Sequence, residues 1–138
     1  ESARSPTVLV RRLSEASVEE WHRLRSHVLM DAGELGSRNM SVTWLEVPAG
    51  VEQTLHSDEQ AEQVYVVVRG HGKISVAGDT GEISEGDLVL VPPATDHAIS
   101  NTGDGELACV SVQSPPVAVA ELYGRQMAEV TSFDEDDE

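Results

Sequence analysis

The pattern that decides the fold lies in residues 50–70, which read GVEQTLHSDEQAEQVYVVVRG. His56 and Asp58 stand two residues apart, and in an extended strand such residues project from the same face. Gln63 follows after a short polar segment and begins a run of strand-forming residues that ends at Gly70. We therefore predict that His56, Asp58 and Gln63 face one point from neighbouring strands, in an arrangement that suits a metal ion.

The composition of the chain is strongly acidic. Of its 138 residues 25 are acidic and nine are basic, and the formal net charge is −16 at pH 7. An excess of this sign repels phosphate and anionic lipid, so we predict no nucleic-acid partner and no membrane partner. An acidic, lysine-poor chain stays hydrated in concentrated salt, where screening weakens its self-repulsion. We therefore interpret the composition as that of a salt-adapted, halophilic protein.

No segment of the sequence is typical of membrane insertion or secretion. No run approaches the roughly 20 apolar residues of a membrane-spanning helix, and residues 1–6 lack the apolar region of a secretory signal. Cys109 is the only cysteine, so it has no partner for an internal disulfide, and its apolar neighbours predict a buried side chain. We expect a soluble, cytoplasmic protein with one domain and a sizeable core.

Turn residues divide the chain into short segments. We predict strands at residues 7–10, 39–47, 54–58, 63–68, 73–76, 82–84, 88–91, 97–100 and 106–113. A hairpin tip is expected at 77–81. Short strands with turn signals roughly every eight to twelve residues are typical of a β-sandwich or barrel.

The two ends of the chain are predicted to differ from this strand-rich centre. Ser17 and Glu20 have the spacing of a capping box, which predicts a short helical turn beginning at Ser17. Residues 27–30 could continue that helix or open a β-hairpin. Residues 117–130 could hold one short helix, and the acidic residues 131–138 predict a disordered tail. We expect an N-terminal arm with a helical turn and a strand at 1–36, a barrel at 37–116 and a C-terminal segment at 117–138.

The stretch that begins at Gly50 resembles the first motif of the cupin superfamily. That motif reads glycine, five residues, His-x-His, three or four residues, glutamate, six residues, glycine. It is matched here by Gly50, His56, Asp58 in place of the second histidine, Gln63 in place of the glutamate, and Gly70.

A later stretch resembles the second cupin motif, which reads glycine, five residues, Pro-x-Gly, two residues, histidine, three residues, asparagine. It is matched by Gly86, Pro92, Ala94 in place of the glycine, His97 and Asn101. The internal spacings of both motifs agree with the family pattern, and together they cover residues 50–101.

The resemblance implies an all-β fold, namely the jelly-roll barrel or double-stranded β-helix of the cupins. It also implies a homodimer and one divalent metal inside the barrel. Carried over residue by residue, the metal ligands would be His56, Asp58, Gln63 and His97.

Two further residues bear on this ligand set. Glu62 is an alternative to Gln63, because the motif permits three intervening residues. Glu62 would then stand seven residues from Gly70 and on the opposite strand face from Tyr65, so we prefer Gln63. Tyr65 shares a face with Gln63 and could line the substrate pocket or belong to the core.

The donor set itself indicates a transition metal. Two imidazoles and one carboxylate form the facial triad that suits Fe(II) with open positions for substrate and oxygen. Mn, Ni, Co, Zn or Cu could occupy the same donors, so the identity of the metal stays open. In the alternative interpretation, His56 and His97 are hydrogen-bonded histidines of a pocket that holds no metal.

These features predict a divalent-metal-dependent enzyme that acts on a small organic molecule, with oxygenase, isomerase and decarboxylase chemistry all open. A non-catalytic small-molecule-binding or sensor barrel is the alternative from another class. His-x-Asp followed by a distant histidine is also typical of 2-oxoglutarate-dependent oxygenases, which usually need a basic residue to pair the cosubstrate carboxylate. Residues 98–124 contain no lysine or arginine, but Lys73 or Arg69 could serve from another strand.

Overall fold

Antiparallel strands make up most of residues 8–116, the part of the chain that the computed structural model describes. In this range the strands are β1 (Ser17–Trp21), β2 (Leu24–Met30), β3 (Ser41–Val47), β4 (Glu62–Arg69), β5 (His71–Val76), β6 (Asp79–Ser84), β7 (Leu88–Val91), β8 (His97–Ser100) and β9 (Leu107–Ser114). Two short 3-10 turns, Leu13–Glu15 and Glu34–Gly36, flank the first two strands.

The strands form two sheets that enclose one core. The larger sheet has the order β1-β2-β3-β9-β4-β7 and the smaller one the order β6-β5-β8. The last strand therefore enters the middle of the larger sheet. Leu45 and Leu107 of the larger sheet and Ile74 and Ile99 of the smaller sheet belong to the same buried cluster. The predicted all-β, jelly-roll architecture is confirmed.

Side chains alternate between the core and the outer face along each strand. On β9, Leu107 and Cys109 are fully buried, whereas Val110 and Val112 are half-buried on the outer face. Burial raises the pKa of the Cys109 thiol to about 12, so the thiol is neutral at ordinary pH. The prediction of a buried cysteine is confirmed.

The helical turn predicted at Ser17 is wrong in its position. Residues Ser17–Trp21 form β1, which pairs with β2 in a hairpin, and the residues between them, His22 and Arg23, have φ of 50° and 71°. Two positive φ values are typical of the tight turn that matches the twist of paired strands. Pairing with β2 therefore overrides the capping signal, and the helical turn occurs earlier, at Leu13–Glu15.

Three other local predictions need correction. Residues 8–10 of the predicted first strand are irregular, and residues 54–58 form a single bridge, at His56, instead of a strand. The tip predicted at 77–81 is a two-residue turn at Ala77 and Gly78, because β6 begins at Asp79. The remaining predicted strands lie within three residues of the observed bounds.

The predicted helix at 117–130 and the predicted acidic tail at 131–138 lie outside the described residues. Within residues 8–116, no helical segment has the length and apolar content that crossing a bilayer requires.

Candidate functional site

Two histidines lie side by side where the first-motif loop meets the start of β8. His56 and His97 exchange both backbone hydrogen bonds, with N–O distances of 3.0 and 2.8 Å, and their ring centroids are 4.2 Å apart. Both residues are buried. The structure therefore brings together the two imidazoles that the motifs predicted as metal ligands, although 41 residues separate them in the sequence.

Hydrogen bonds to the backbone fix the proton on each ring. His56 Nδ1 lies 2.7 Å from the carbonyl oxygen of Thr54, and His97 Nδ1 lies 3.1 Å from that of Thr95. A carbonyl oxygen only accepts, so both Nδ1 atoms carry hydrogen, and in the neutral form of each ring Nε2 is the nitrogen with the lone pair. Metal-binding histidines are commonly held in this way.

Burial and the neighbouring His56 keep His97 neutral. Burial, followed by the neighbouring charge that His56 would carry, lowers the pKa of His97 from 6.5 to about 4. The His97 imidazole is therefore uncharged at neutral pH. Its Nε2 lies 3.2 Å from the hydroxyl of Tyr65, which donates to it.

Two inward residues of β4 complete the cluster. Tyr65 is 1 % exposed and Gln63 is 5 % exposed, whereas Glu62 is exposed on the other face. Gln63 Nε2 donates to Ser111 Oγ at 2.7 Å. The structure thus places Gln63, and not Glu62, on the inner face with Tyr65, as the alternation rule predicted.

Asp58 has a different role in the structure. It is half-buried, and its Oδ1 accepts hydrogen bonds from the backbone amides of Gln60 and Ala61 at 2.9 and 2.7 Å. These bonds stabilise the turn that leads into β4. Within residues 8–116, no group of three or more His, Cys, Asp or Glu side chains is arranged to hold a metal ion. The four-residue ligand set of His56, Asp58, Gln63 and His97 stays a prediction.

The second motif positions the loop before β8. Ala94, which replaces the motif glycine, has a φ of 58° and donates its amide to the carbonyl oxygen of Asp58 at 2.6 Å. A positive φ favours glycine, which explains the family preference at this position. Asn101 Nδ2 donates to the carbonyl oxygens of Val47 and Gly105, both at 2.7 Å, so Asn101 joins three segments of the fold.

The two cations considered for a cosubstrate carboxylate both lie away from the cluster. Arg69 is exposed and pairs with Glu106 at 2.7 Å. Lys73 is exposed on β5, between the buried residues Gly72 and Ile74. Since neither side chain faces the core, the 2-oxoglutarate alternative loses the residues on which it depended.

Sequence reasoning missed a group of inward polar residues beside the predicted site. Ser41, Ser111 and Gln113 are all buried on β3 and β9. Gln113 pairs in register with Ser41 on one side and with Gln63 on the other. The signal was present in the sequence, because the buried positions of β9 change from Leu107 and Cys109 to serine and glutamine at intervals of two residues.

Comparison with known proteins places this fold and motif pattern in a family. The family model described as Cupin domain matches residues 43–113. An uncharacterised protein of Methanocaldococcus jannaschii is 31% identical over 70 residues, which are 51% of this chain and 56% of that protein. The chain thus matches only about half the length of that relative.

Two solved structures are similar in fold. A predicted oxalate decarboxylase from Thermotoga maritima has a TM-score of 0.71 and 22% sequence identity, over 77% of this chain and 98% of that one. KdgF from Halomonas has a TM-score of 0.69 and 16% identity, over 79% of this chain and 96% of that one. With the family match over half of the sequence, these findings show that the chain belongs to the cupin family.

Proposed function

We propose that this cupin binds a divalent transition metal through His56 and His97 and acts as an enzyme on a small organic molecule. The observation that carries the proposal is the pair of buried imidazoles, whose Nδ1 atoms are anchored to backbone carbonyls. In the neutral form of each ring this leaves Nε2 as the unprotonated nitrogen. Oxygenase, isomerase and decarboxylase chemistry all remain open.

The residues present fit such a metal through their nitrogen donors. Neutral imidazole is a good ligand for Fe, Ni, Cu and Zn, and the lowered pKa of His97 means that no proton competes at neutral pH. Gln63 would add a carbonyl oxygen, while the Oδ1 atom of Asp58 is already bonded to two turn amides. A bound metal would supply Lewis acidity or oxygen activation.

The side chains of this site would also orient the substrate. Tyr65 now donates to His97 Nε2, at 3.2 Å, so it competes for the lone pair that a metal would use. With that lone pair occupied, the Tyr65 hydroxyl would donate to another acceptor, such as an oxygen atom of the substrate. Buried surroundings would exclude water from this contact and strengthen it.

Metal content after purification without chelators and reconstitution with Fe, Mn, Ni, Cu or Zn tests the proposal. We expect one metal per chain in the wild type and its loss in His97→Ala. His71→Ala is the matched control, because His71 is exposed at the start of β5 and should leave the metal content unchanged. A wild type that takes up none of these metals would contradict the proposal.

One observation favours the second candidate, a non-catalytic small-molecule-binding barrel. Apart from Asp58, whose Oδ1 accepts turn amides, the cluster contains no residue with a permanent charge: it consists of two histidines, a glutamine and a tyrosine. Without a metal it has no permanent positive charge with which to hold an anion such as oxalate, the substrate named for one structural neighbour. Oxalate binding that depends on added metal supports the enzyme, whereas binding of neutral molecules by metal-free protein supports the second candidate.

We also propose a homodimer formed through the outer face of the larger sheet. One cross-strand row on this face runs Val18, His27, Trp44, Val110, Val66 and Leu88. Val18 and Leu88 are 48 % and 63 % exposed. Exposed apolar side chains on the face of a sheet are suited to pairing with a second copy of the chain. Light scattering should show a dimer that Val66→Glu converts to a monomer, and a monomeric wild type would contradict this.

The acidic composition supports a further proposal, a cytoplasmic setting in a salt-adapted organism. The chain carries 25 acidic and nine basic residues, and screening should weaken their repulsion. The melting temperature should therefore rise between low and molar potassium chloride. A flat or falling melting temperature would contradict salt adaptation.

A further inference from the structure

Two buried side-chain donors in residues 8–116 have no acceptor: Trp44 Nε1 on the outer face of the larger sheet and Gln113 Nε2 on its inner face. Gln113 is 5 % exposed, and its Nε2 has no hydrogen-bond partner among residues 8–116. Leaving a buried donor unsatisfied costs on the order of 1–3 kcal/mol, so native proteins rarely retain one without a reason. By contrast, the neighbouring Gln63 uses its Nε2 to bond Ser111.

The position of Gln113 places this donor on the inner face of the larger sheet. Cys109 and Ser111, which share its side of β9, are buried, whereas Val110 and Val112 face outward. Gln63 lies opposite Gln113 on β4, and Tyr65 follows on the same inner face, within reach of His97. The free amide hydrogens therefore belong to the same interior as the histidine pair.

Side chains around this donor have both hydrogen-bond donors and acceptors but no formal charge. Two cross-strand rows face inward at this end, and they consist of Ser41, Gln113 and Gln63, then Thr43, Ser111 and Tyr65. We call these six residues the polar end of the barrel. Hydroxyl and amide groups complement a ligand whose own groups both donate and accept, as hydroxyls do. In metal-free protein, a charged ligand would lose its hydration here without meeting an opposite charge.

We propose that the polar end binds an uncharged, polyhydroxylated molecule, a sugar or polyol, and that Gln113 Nε2 donates a hydrogen bond to one of its oxygens. The proposal rests on the proposed function in one respect, namely that the barrel interior binds a small molecule. It assigns to Gln113 a specificity role: an analogue that lacks the accepting oxygen would leave the amide unpaired and bind more weakly.

Saturation-transfer NMR with the full chain tests the proposal, with D-mannose, D-xylose and myo-inositol as neutral probes and glucuronate as the charged probe. In protein kept metal-free with a chelator, we expect at least one neutral probe to bind more tightly than glucuronate. Gln113→Leu, which removes the donor, should weaken the binding of that probe about tenfold, the usual scale for one hydrogen bond. Gln60→Leu makes the same change at an exposed turn residue and should leave binding unchanged.

The outcomes separate this inference from the metal proposal. If Gln113→Leu folds poorly, Gln113→Glu preserves the shape while removing the N–H donor, and it should also weaken the neutral probe. The metal content of both Gln113 variants should equal that of the wild type. Neutral binding in a protein that takes up no metal supports this inference while the metal proposal fails. Absence of neutral binding, or equal affinity in wild type and both Gln113 variants, overturns it.

Discussion

The polar end of the barrel and its apolar end are built on the same three strands, β3, β4 and β9. At the apolar end, the inward positions hold Leu45, Val67 and Leu107, all between 0 and 3 % exposed. At the polar end, the same alternation places Ser41, Gln63 and Gln113 inward, at 2 to 5 % exposed. Backbone pairing continues through both ends, with one register shift on β4 between Val67 and Arg69, so the main difference lies in the side chains.

This difference separates stability from function within one sheet. Burial of the apolar side chains contributes about 1.5–3 kcal/mol each. Burial of the polar ones gains little and requires every donor and acceptor to be paired. Gln63 meets that requirement through Ser111, but Gln113 Nε2 does not. Local rules are typically broken at functional sites, which is why the polar end, and not the apolar end, is the candidate for ligand binding.

The largest effect on stability is expected at the apolar end. Leu107→Ala removes a side chain with 0 % exposure and should lower the free energy of unfolding by about 2–5 kcal/mol, because a cavity remains. Val112→Ala, on the half-buried outer face of the same strand, should cost less. Urea denaturation in molar salt measures both values. A smaller loss for Leu107→Ala than for Val112→Ala would contradict the division into two ends.

A pH-dependent effect is expected beside the polar end, in metal-free protein. The pKa of His97 is lowered from 6.5 to about 4 by burial and by His56. The His97 imidazole is therefore protonated near pH 6.5 in the unfolded chain but only near pH 4 in the folded chain. Stability should fall as the pH decreases through that window, by up to about 3 kcal/mol in total.

Unfolding measured from pH 7.5 to 4 with a chelator present tests this effect. His97→Gln should flatten the slope in that window, whereas His71→Gln, at an exposed position, should keep it. A slope that is unchanged in His97→Gln would show that other groups cause the pH dependence.

The sequence was informative about the fold for a physical reason. Turn residues and strand-forming runs act locally, so the predicted strands at 88–91 and 97–100 coincide with β7 and β8. The prediction from the capping box at Ser17 failed because this segment pairs with β2 in a tight hairpin, and a capping signal carries no information about the partner strand. The strand predicted at residues 54–58 was also wrong, because in this segment only His56 forms a bridge, to His97 of β8.

The candidate site was predictable in part. The two motifs predicted that His56 and His97 lie together, and strand alternation predicted that Gln63 and Tyr65 face inward. The side-chain contacts could not be predicted, because spacing does not show that Asp58 turns towards backbone amides. The three-strand register that creates the polar end also depends on β9 entering between β3 and β4, which a linear pattern does not reveal.

The smallest effect is also the sharpest test of the polar end, because it compares two glutamines in one cross-strand row. Gln63→Leu removes the donor to Ser111 and should destabilise the protein by about 1 kcal/mol. Gln113→Leu removes an amide whose Nε2 has no partner in residues 8–116, so without ligand it should be neutral or stabilising by up to about 1 kcal/mol. The opposite signs follow because one amide is paired and the other is kept for a ligand, a common exchange of stability for function. Equal destabilisation by both substitutions, measured in ligand-free protein, would mean that Gln113 is structural.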